Sequence, residues 1–584
     1  MKTNCEKKKL SRIKRGGFAL IMVVFTAGLG VMVMSSAMNW TSSSSKMVDR
    51  NNQLNKCILA AEAATEKILS QAVKDYKTGG EGVVYGSLSS YKSMVPTQSE
   101  FAGASEFEFN NAQGVVGQTY AQRITSEQYL PLDSQYEGLH GFASNYRVVS
   151  NVKMKNSDFN ITAAVQQDFQ VASIPVFQFA IFYSGLLEFT WAAPLYIRGR
   201  VHSNQQIYTG SSAPLEFYDD VTSVGINQKM PWWGFSMGQF TGALNYFNDK
   251  DTNVAALTLP IGTNNTSAAV HAVLEQPPLL ESVNSTMGKQ RYYNKAELLI
   301  LVSNAVVGVS VKNPFETNLT AIPWANASYF VTTNKTFTDQ REGKTMLTVE
   351  LDVAKFSTWA ATNSSVIAKL GGGKPPNLVY VADYRTVTSS QKHAIRLINA
   401  STLPSRGLTL ATPNPIYTIG NFNCPTHPAS TNTSNAKPAS LVGDAWTILS
   451  SAWDDALSSG SFTSRNAVTT TVNAAILVGN VPSAGSGGNS PKSGGAMNLP
   501  RLLENWTSRS VWINGSLVCM FTSQEATGPF QMPGTYYYAP SRNFSFDSNY
   551  LDVTKQPPGT PELRVLIRSK WVTPPPNVVT YTGT

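Results

Sequence analysis

From Phe18 to Met38 the chain carries no charged side chain, and nearly every residue is apolar. About 20 apolar residues suffice to cross a bilayer as a helix, so this run decides how the rest of the chain can be organised. It starts abruptly. Arg12-Ile13-Lys14-Arg15 and two glycines, Gly16 and Gly17, are followed at once by Phe18-Ala19-Leu20-Ile21-Met22-Val23-Val24. Seven basic residues against one acid stand before Phe18, which accounts for six of the chain's net charge of +9. That concentration holds an N-terminus on the cytoplasmic side. It leaves only +3 on the other residues, and so gives no ground for a nucleic-acid partner, which would need a basic stripe on the folded part. No later segment is both long and apolar enough for a second span.

Three readings of this N-terminus fit the residues. A cleaved secretory signal would place a small-residue site after the apolar run, and Ser35-Ser36-Ala37 could serve. A plain signal anchor fits the composition too. The third reading comes from resemblance: the basic segment, Gly16-Gly17 and the Phe18-led apolar run resemble the leader of type IV prepilins and type II secretion pseudopilins. In that family a prepilin peptidase cuts after the last glycine, here Gly17, and Phe18 becomes the N-methylated first residue of a retained helix. The resemblance implies a filament helix that includes Phe18, Leu20, Met22, Val24, Leu29 and Met38, with the inner membrane and other pilin subunits as partners. It also implies a single pass with a cytoplasmic N-terminus, leading to the periplasm or a surface filament. Major pilins carry a glutamate at the fifth mature position, where this chain has Met22. GspK-type tip subunits share that absence, and a lone carboxylate in lipid is costly without a partner.

The helix is expected to continue. Leu54, Ile58, Ala61, Thr65, Ile68, Leu69, Ala72 and Val73 recur at spacings of three and four, and Gly79-Gly80 stops the pattern. The stretch Leu59-Ala60-Ala61-Glu62-Ala63-Ala64-Thr65-Glu66 resembles PilX-type minor pilins and GspK-type pseudopilins. Separately, the segments 196–204, 407–412 with 417–423, and 498–506 resemble large PilX-like pilus-associated proteins of Gram-negative bacteria. That second resemblance brings no known activity.

The expected fold is mainly β with a long N-terminal α-helix. After a leader over 1–17 come a transmembrane and stalk helix over 18–78 and a pilin-like β region over 79–175. In the latter, 145–150 and 160–169 read as adjacent antiparallel strands. A β-solenoid-like domain then takes 176–226 and 405–555, because short apolar strands there end in Gly or Asn turns, although without a strict repeat period. A β-sandwich is the runner-up. Residues 227–404 read as an α/β insertion, with strands near 296–302 and 378–382 and Asp352 as the N-cap of a helix through 353–361. Residues 484–495 form a Gly/Ser loop, and 556–584 an extended Pro-rich tail.

Candidate chemistry is sparse. Cys5 lies in the leader segment and Cys57 on the stalk; Cys424 and Cys519 could pair in an oxidising compartment or stay as buried thiols. The five histidines, His140, His202, His271, His393 and His427, have no metal-ligand spacing, and no metal or cofactor is expected. His202 sits at a strand end where it could orient a loop. Asp219-Asp220 and Asp454-Asp455 are the carboxylate pairs a solenoid glycosidase would use, or a weak Ca²⁺ site, although adjacent residues point apart. Trp232-Trp233, with Phe235 and Phe240, could stack on a glycan or a surface ligand, or pack at a domain boundary. Frequent N-x-S/T triplets, such as those at Asn265, Asn318, Asn326, Asn334, Asn505 and Asn543, follow from a chain rich in Asn, Ser and Thr. Three functions stay open: a non-enzymatic minor pilin or pseudopilin-like subunit at a filament tip, an envelope adhesin on a plain anchor, and an anchored carbohydrate-active enzyme.

Overall fold

The computed structural model describes residues 16–111, 113–190, 194–229, 238, 240–484, 491–492, 495–531 and 533–576. A single helix, α1 (Gly16–Gly79), opens it. Its 64 residues correspond to a rod of about 96 Å at ~1.5 Å per residue. It stops at Gly80, whose φ of +79° favours glycine; an added Cβ there would also meet the Arg564 guanidinium at 2.8 Å.

Only the second half of α1 is packed. Cys57, Ala60, Ala61 and Ala64 lie on Phe107, Phe109, Val152, Ala163 and Val165. Further along, Ile68, Leu69, Ala72 and Tyr76 lie on Tyr146, Val148, Phe169 and Val171. The alanines let the helix axis approach the sheet closely. The buried stripe is turned slightly from the one the spacing predicts: Leu54 is exposed and Ile58 and Val73 are half-buried, while Gln53 and Cys57 face inward. The reason is local. Gln53 exchanges hydrogen bonds with the hairpin turn at Ser157 and Phe159, which fixes the helix's rotation.

The sheet beneath the helix is antiparallel. Its strands run in the order Phe107–Asn110, His140–Met154, Thr162–Pro175 and Glu562–Val572, with Tyr120–Arg123 and Gln128–Pro131 also paired to the second. The hairpin expected around 145–169 is its centre. Stalk helix and β-rich head therefore have a pilin-like arrangement. The last strand is a correction: residues 562–572, expected within an exposed tail, pair with Thr162–Pro175 and bury Leu563, Val565 and Ile567. Their alternation of apolar and charged residues is that of a half-buried strand, and the prolines that follow obscured it.

Beyond the head the strands pair in parallel, as a solenoid-like stack and not as a sandwich. The first stack has three faces. Register steps by 20 residues from Ile181 to Val201 to Val221, and likewise from Leu187 to Ile207 and from Leu195 to Leu215. The next rung steps by 29, from Leu215 to Leu244 and Val221 to Lys250. A 20-residue period is thus present, but it lasts too few turns to stand out in the sequence. The second stack is two-faced and steps unevenly, from Val379 to Leu410 to Leu441, then to Ile476 and Leu517.

The two stacks form one body. Leu517 pairs with Ile181, so a 13-stranded sheet runs through both. Leu298, Val379, Leu410, Leu441, Ile476, Leu517, Ile181, Val201 and Val221 form one buried column along it. Residues 227–404 interrupt the solenoid in sequence but not in space. Leu298–Val302, Leu378–Asp383 and Gln391–Ile398 continue its sheets, and the antiparallel pairs around Val307–Val311 and Val331–Asp339 close the far end. Asp352 caps Val353–Thr362, accepting from Lys355 N at 3.0 Å. Buried amides stitch the rungs: Asn514 donates to Asn473 Oδ1 at 2.8 Å, and Asn473 donates to Asn423 O at 2.9 Å. The head docks on the outside of the long sheet through Val176, Phe177, Phe179, Leu257, Tyr292, Leu477 and Leu563.

Candidate functional site

The free half of α1 is the feature the fold leaves unsatisfied. Between Phe18 and Trp40, fourteen large apolar side chains are exposed, among them Phe18 at 72%, Met34 at 70% and Trp40 at 75%. Leu20, Met22, Val24, Leu29 and Met38 belong to the same surface. Exposure goes all the way round the helix, so no single stripe is presented. At ~1.5 kcal/mol or more per side chain, leaving this surface in water costs roughly 20 kcal/mol, more than the 5–15 kcal/mol by which a typical domain is stable. The segment therefore needs an apolar surrounding that the head does not supply. Thr26 returns its hydroxyl to Met22 O at 2.8 Å and Thr41 to Ala37 O at 2.8 Å, as hydroxyls do when a helix must satisfy them internally. Among the described helices, α1 alone is long and apolar enough to cross a membrane.

Residues 1–15 lie outside the described residues. Gly16, Gly17 and Phe18 open the helix, which runs on without a break to Gly79. The polar stretch Thr41 to Asn52 is helical and exposed, which sets the head well away from the apolar segment.

The other candidates resolve differently. Trp232, Trp233 and Phe235 lie outside the described residues. Phe240 is buried against Gly210. Cys424 and Cys519 are not paired: both, with Cys57, are buried free thiols. Cys519 donates to Phe521 O at 3.7 Å, and burial pushes its thiol up to about 12. Cys424 sits elsewhere, beside Asn473 and His427, so the chain brings the two to different rungs. Asp219 accepts from Gly199 N at 2.7 Å, and Asp220 is ion-paired with Arg200. Asp454 caps a 3₁₀ turn by accepting from Ala456 N, and Asp455 receives both arms of Arg396. Asp219 and Asp454 hold backbone turns, Asp220 and Asp455 are engaged by arginines, and no three metal-ligating side chains converge among the described residues.

His202 is buried. Its Nδ1 lies 2.8 Å from Thr222 Oγ1 and its Nε2 3.0 Å from Asn204 Oδ1. Asn204 in turn holds Leu257 by both its backbone groups, which is the loop-orienting role its position suggests. Burial lowers its pKa to about 4. His271 behaves oppositely. Burial disfavours its charge, but Asp444 at 3.1 Å and Glu275 at 3.2 Å outweigh that and raise its pKa to about 9. Asp444 also accepts from the backbone of Gln524, Glu525 and Ala526, so this pair clamps the 522–526 segment across the solenoid. Sequence reading missed the clamp because its members are distant in the chain.

No protein-family model matches the chain, and no curated protein matches it in sequence. Among solved structures, the competence-associated pilin ComZ from Thermus thermophilus is 11% identical with a TM-score of 0.25, over 89% of this chain and 98% of that one. Overlap at that level leaves the topologies unsuperposed, and the pilin-like reading of the fold stands on α1 and its sheet.

Proposed function

We propose that the chain is a pilin-type filament subunit, trimmed after Gly17 by a prepilin peptidase, N-methylated at Phe18 and drawn from the inner membrane into a type IV pilus or a type II secretion-type filament. The observation that carries this is the division of α1: an all-round apolar half with no contact to the head, and an Ala-rich half packed on an antiparallel sheet. Such a segment satisfies its surface equally in lipid or among the helices of neighbouring subunits, and packing complementarity then sets where it is inserted. Met22 at the fifth mature position and the large head favour a place at the filament tip over the shaft. The head is the part offered to the outside, where it binds a surface or partner. No reaction is assigned to it, since Asp219, Asp220, Asp454 and Asp455 are engaged in turns and ion pairs.

Intact-mass and N-terminal analysis of the protein purified from its native membrane tests the proposal. The expected species begins at methylated Phe18. A soluble product starting beyond Met38 overturns it, and so does a chain that retains Met1.

A further inference from the structure

Three rungs of the first stack, Leu195–Ile197, Leu215–Phe217 and Leu244–Tyr246, share one parallel sheet. Alternation sends their leucines, Ile197 and Phe217 into the core. The positions that face out make two columns. Tyr196, Glu216 and Asn245 are register partners in the first, and Arg198, Tyr218 and Phe247 follow them in the second.

This side of the stack is exposed or half-buried at its outward positions on all three rungs. The stack's face in the long sheet meets the head at Phe182 and carries the buried His202 and Thr222, and on the third face Glu188 is buried with Gly495 packed against its backbone; both faces open only at their last rungs, at Lys250–Thr252 and Gln228. Here Phe247 is 59% and Tyr196 50% exposed. The Tyr218 and Phe247 rings stack at 4.8 Å with 19° between planes, and the Arg198 guanidinium lies 4.3 Å over the Tyr218 ring. Tyr218 donates to Glu216 Oε2 at 2.6 Å, and Asn245 reaches the other oxygen at 3.5 Å.

All six outward side chains are flat: three aromatic rings, a guanidinium, a carboxylate and an amide. A face that needed only solubility would carry lysines, serines and threonines. Rings present an apolar body that packs on the C–H face of a sugar, and the flat polar groups make paired hydrogen bonds to neighbouring hydroxyls. Rungs recur every ~4.8 Å, close to the length of one sugar unit in an extended chain. The one cation and the one anion cancel, which selects against a charged ligand.

We propose that this face binds a neutral, extended polysaccharide lying along the solenoid axis, one sugar unit per rung. The proposal deepens the reading above in one respect, since it rests on the head being displayed outward; binding itself does not need a filament.

Native affinity electrophoresis of the full chain in detergent tests it, with dextran, mannan or hydroxyethylcellulose cast in the gel. Retardation that grows with the concentration of at least one of these is expected. Tyr196→Ala and Phe247→Ala should each weaken it at least tenfold, Phe247→Trp should preserve it, and the thermal midpoint of Tyr196→Ala should match the parent. No retardation by any of the three, or retardation that survives both alanine variants, overturns the proposal. So does an effect of the variants on sedimentation without polysaccharide, which would make the face a contact between copies of this chain. Each of these results leaves the mass of the mature N-terminus, and hence the filament reading, untouched.

Discussion

Leu517 and Ile181 sit side by side as register partners in one parallel sheet, although most of the solenoid's residues lie between them in sequence. Both are buried in the column that runs the length of the solenoid. The strand that ends the second stack thereby becomes the floor of the first, and the two stacks must fold as one unit.

Breaking that seam should destabilise the whole solenoid and not one half. Leu517→Ala removes a buried side chain at a cost of about 2–5 kcal/mol. Calorimetry should show one transition moved to lower temperature. Two separated transitions would mean that the stacks fold independently.

Glu562–Val572 closes the head sheet, and Arg568 reaches Glu66 on α1 through two contacts of 2.7 Å. That ion pair is too exposed to contribute much; the strand's worth lies in Leu563, Val565 and Ile567. A chain ended after Pro561 should lose hydrogen-exchange protection at the alternate amides of Thr162–Pro175 that face the removed strand, while those bonded to His140–Met154 keep theirs; Arg568→Ala should leave both sets nearly unchanged.

The two buried histidines set opposite limits on pH. His271 has a folded pKa of about 9 against a usual 6.5, so its contribution is complete below 6.5 and is lost as pH rises through 9. The shift is worth roughly 3 kcal/mol at ~1.4 kcal/mol per unit. His202 is depressed to about 4, so what it contributes is present above 6.5 and fades as pH falls toward 4. Urea midpoints should therefore be highest near neutral pH. His271→Gln should flatten the alkaline limb only, while His202→Asn should flatten the acid limb only.

Thiol counting tests two statements at once. The sequence has four cysteines, and Cys57, Cys424 and Cys519 are buried and unpaired. The native protein should react slowly with a thiol reagent. Denatured without reductant, the mature chain should give three thiols if residues 1–17 and Cys5 are removed. Four would mean an uncleaved leader, and one a Cys424–Cys519 disulfide.

A charge in the free half of α1 should separate anchoring from folding. Leu29→Arg places a cation near the middle of the run at a cost of about 2.5–3.5 kcal/mol in a membrane. It touches nothing in the head. Membrane retention should fall while the head's thermal midpoint stays fixed.

The sequence alone determined what obeys short-range rules. The apolar run, the stop at Gly79-Gly80, the Asp352 cap, the central hairpin and most of the short solenoid strands follow from local periodicity and local backbone chemistry. The same locality hid everything that depends on closure between distant segments. The packed stripe on α1 is set by Gln53 and the hairpin turn it meets, and the strand at 562–572 looked like a tail because its partner lies far upstream. Residues 227–404 read as a separate unit although their strands complete the solenoid's sheets. Parallel pairing leaves no signature in either strand of a pair, since each sees only an apolar neighbour and the loop between them can be of any length. Which strands become neighbours, and therefore which cysteines stay apart, which histidine keeps its proton and which flat side chains line up on an open face, was decided only when the chain closed on itself.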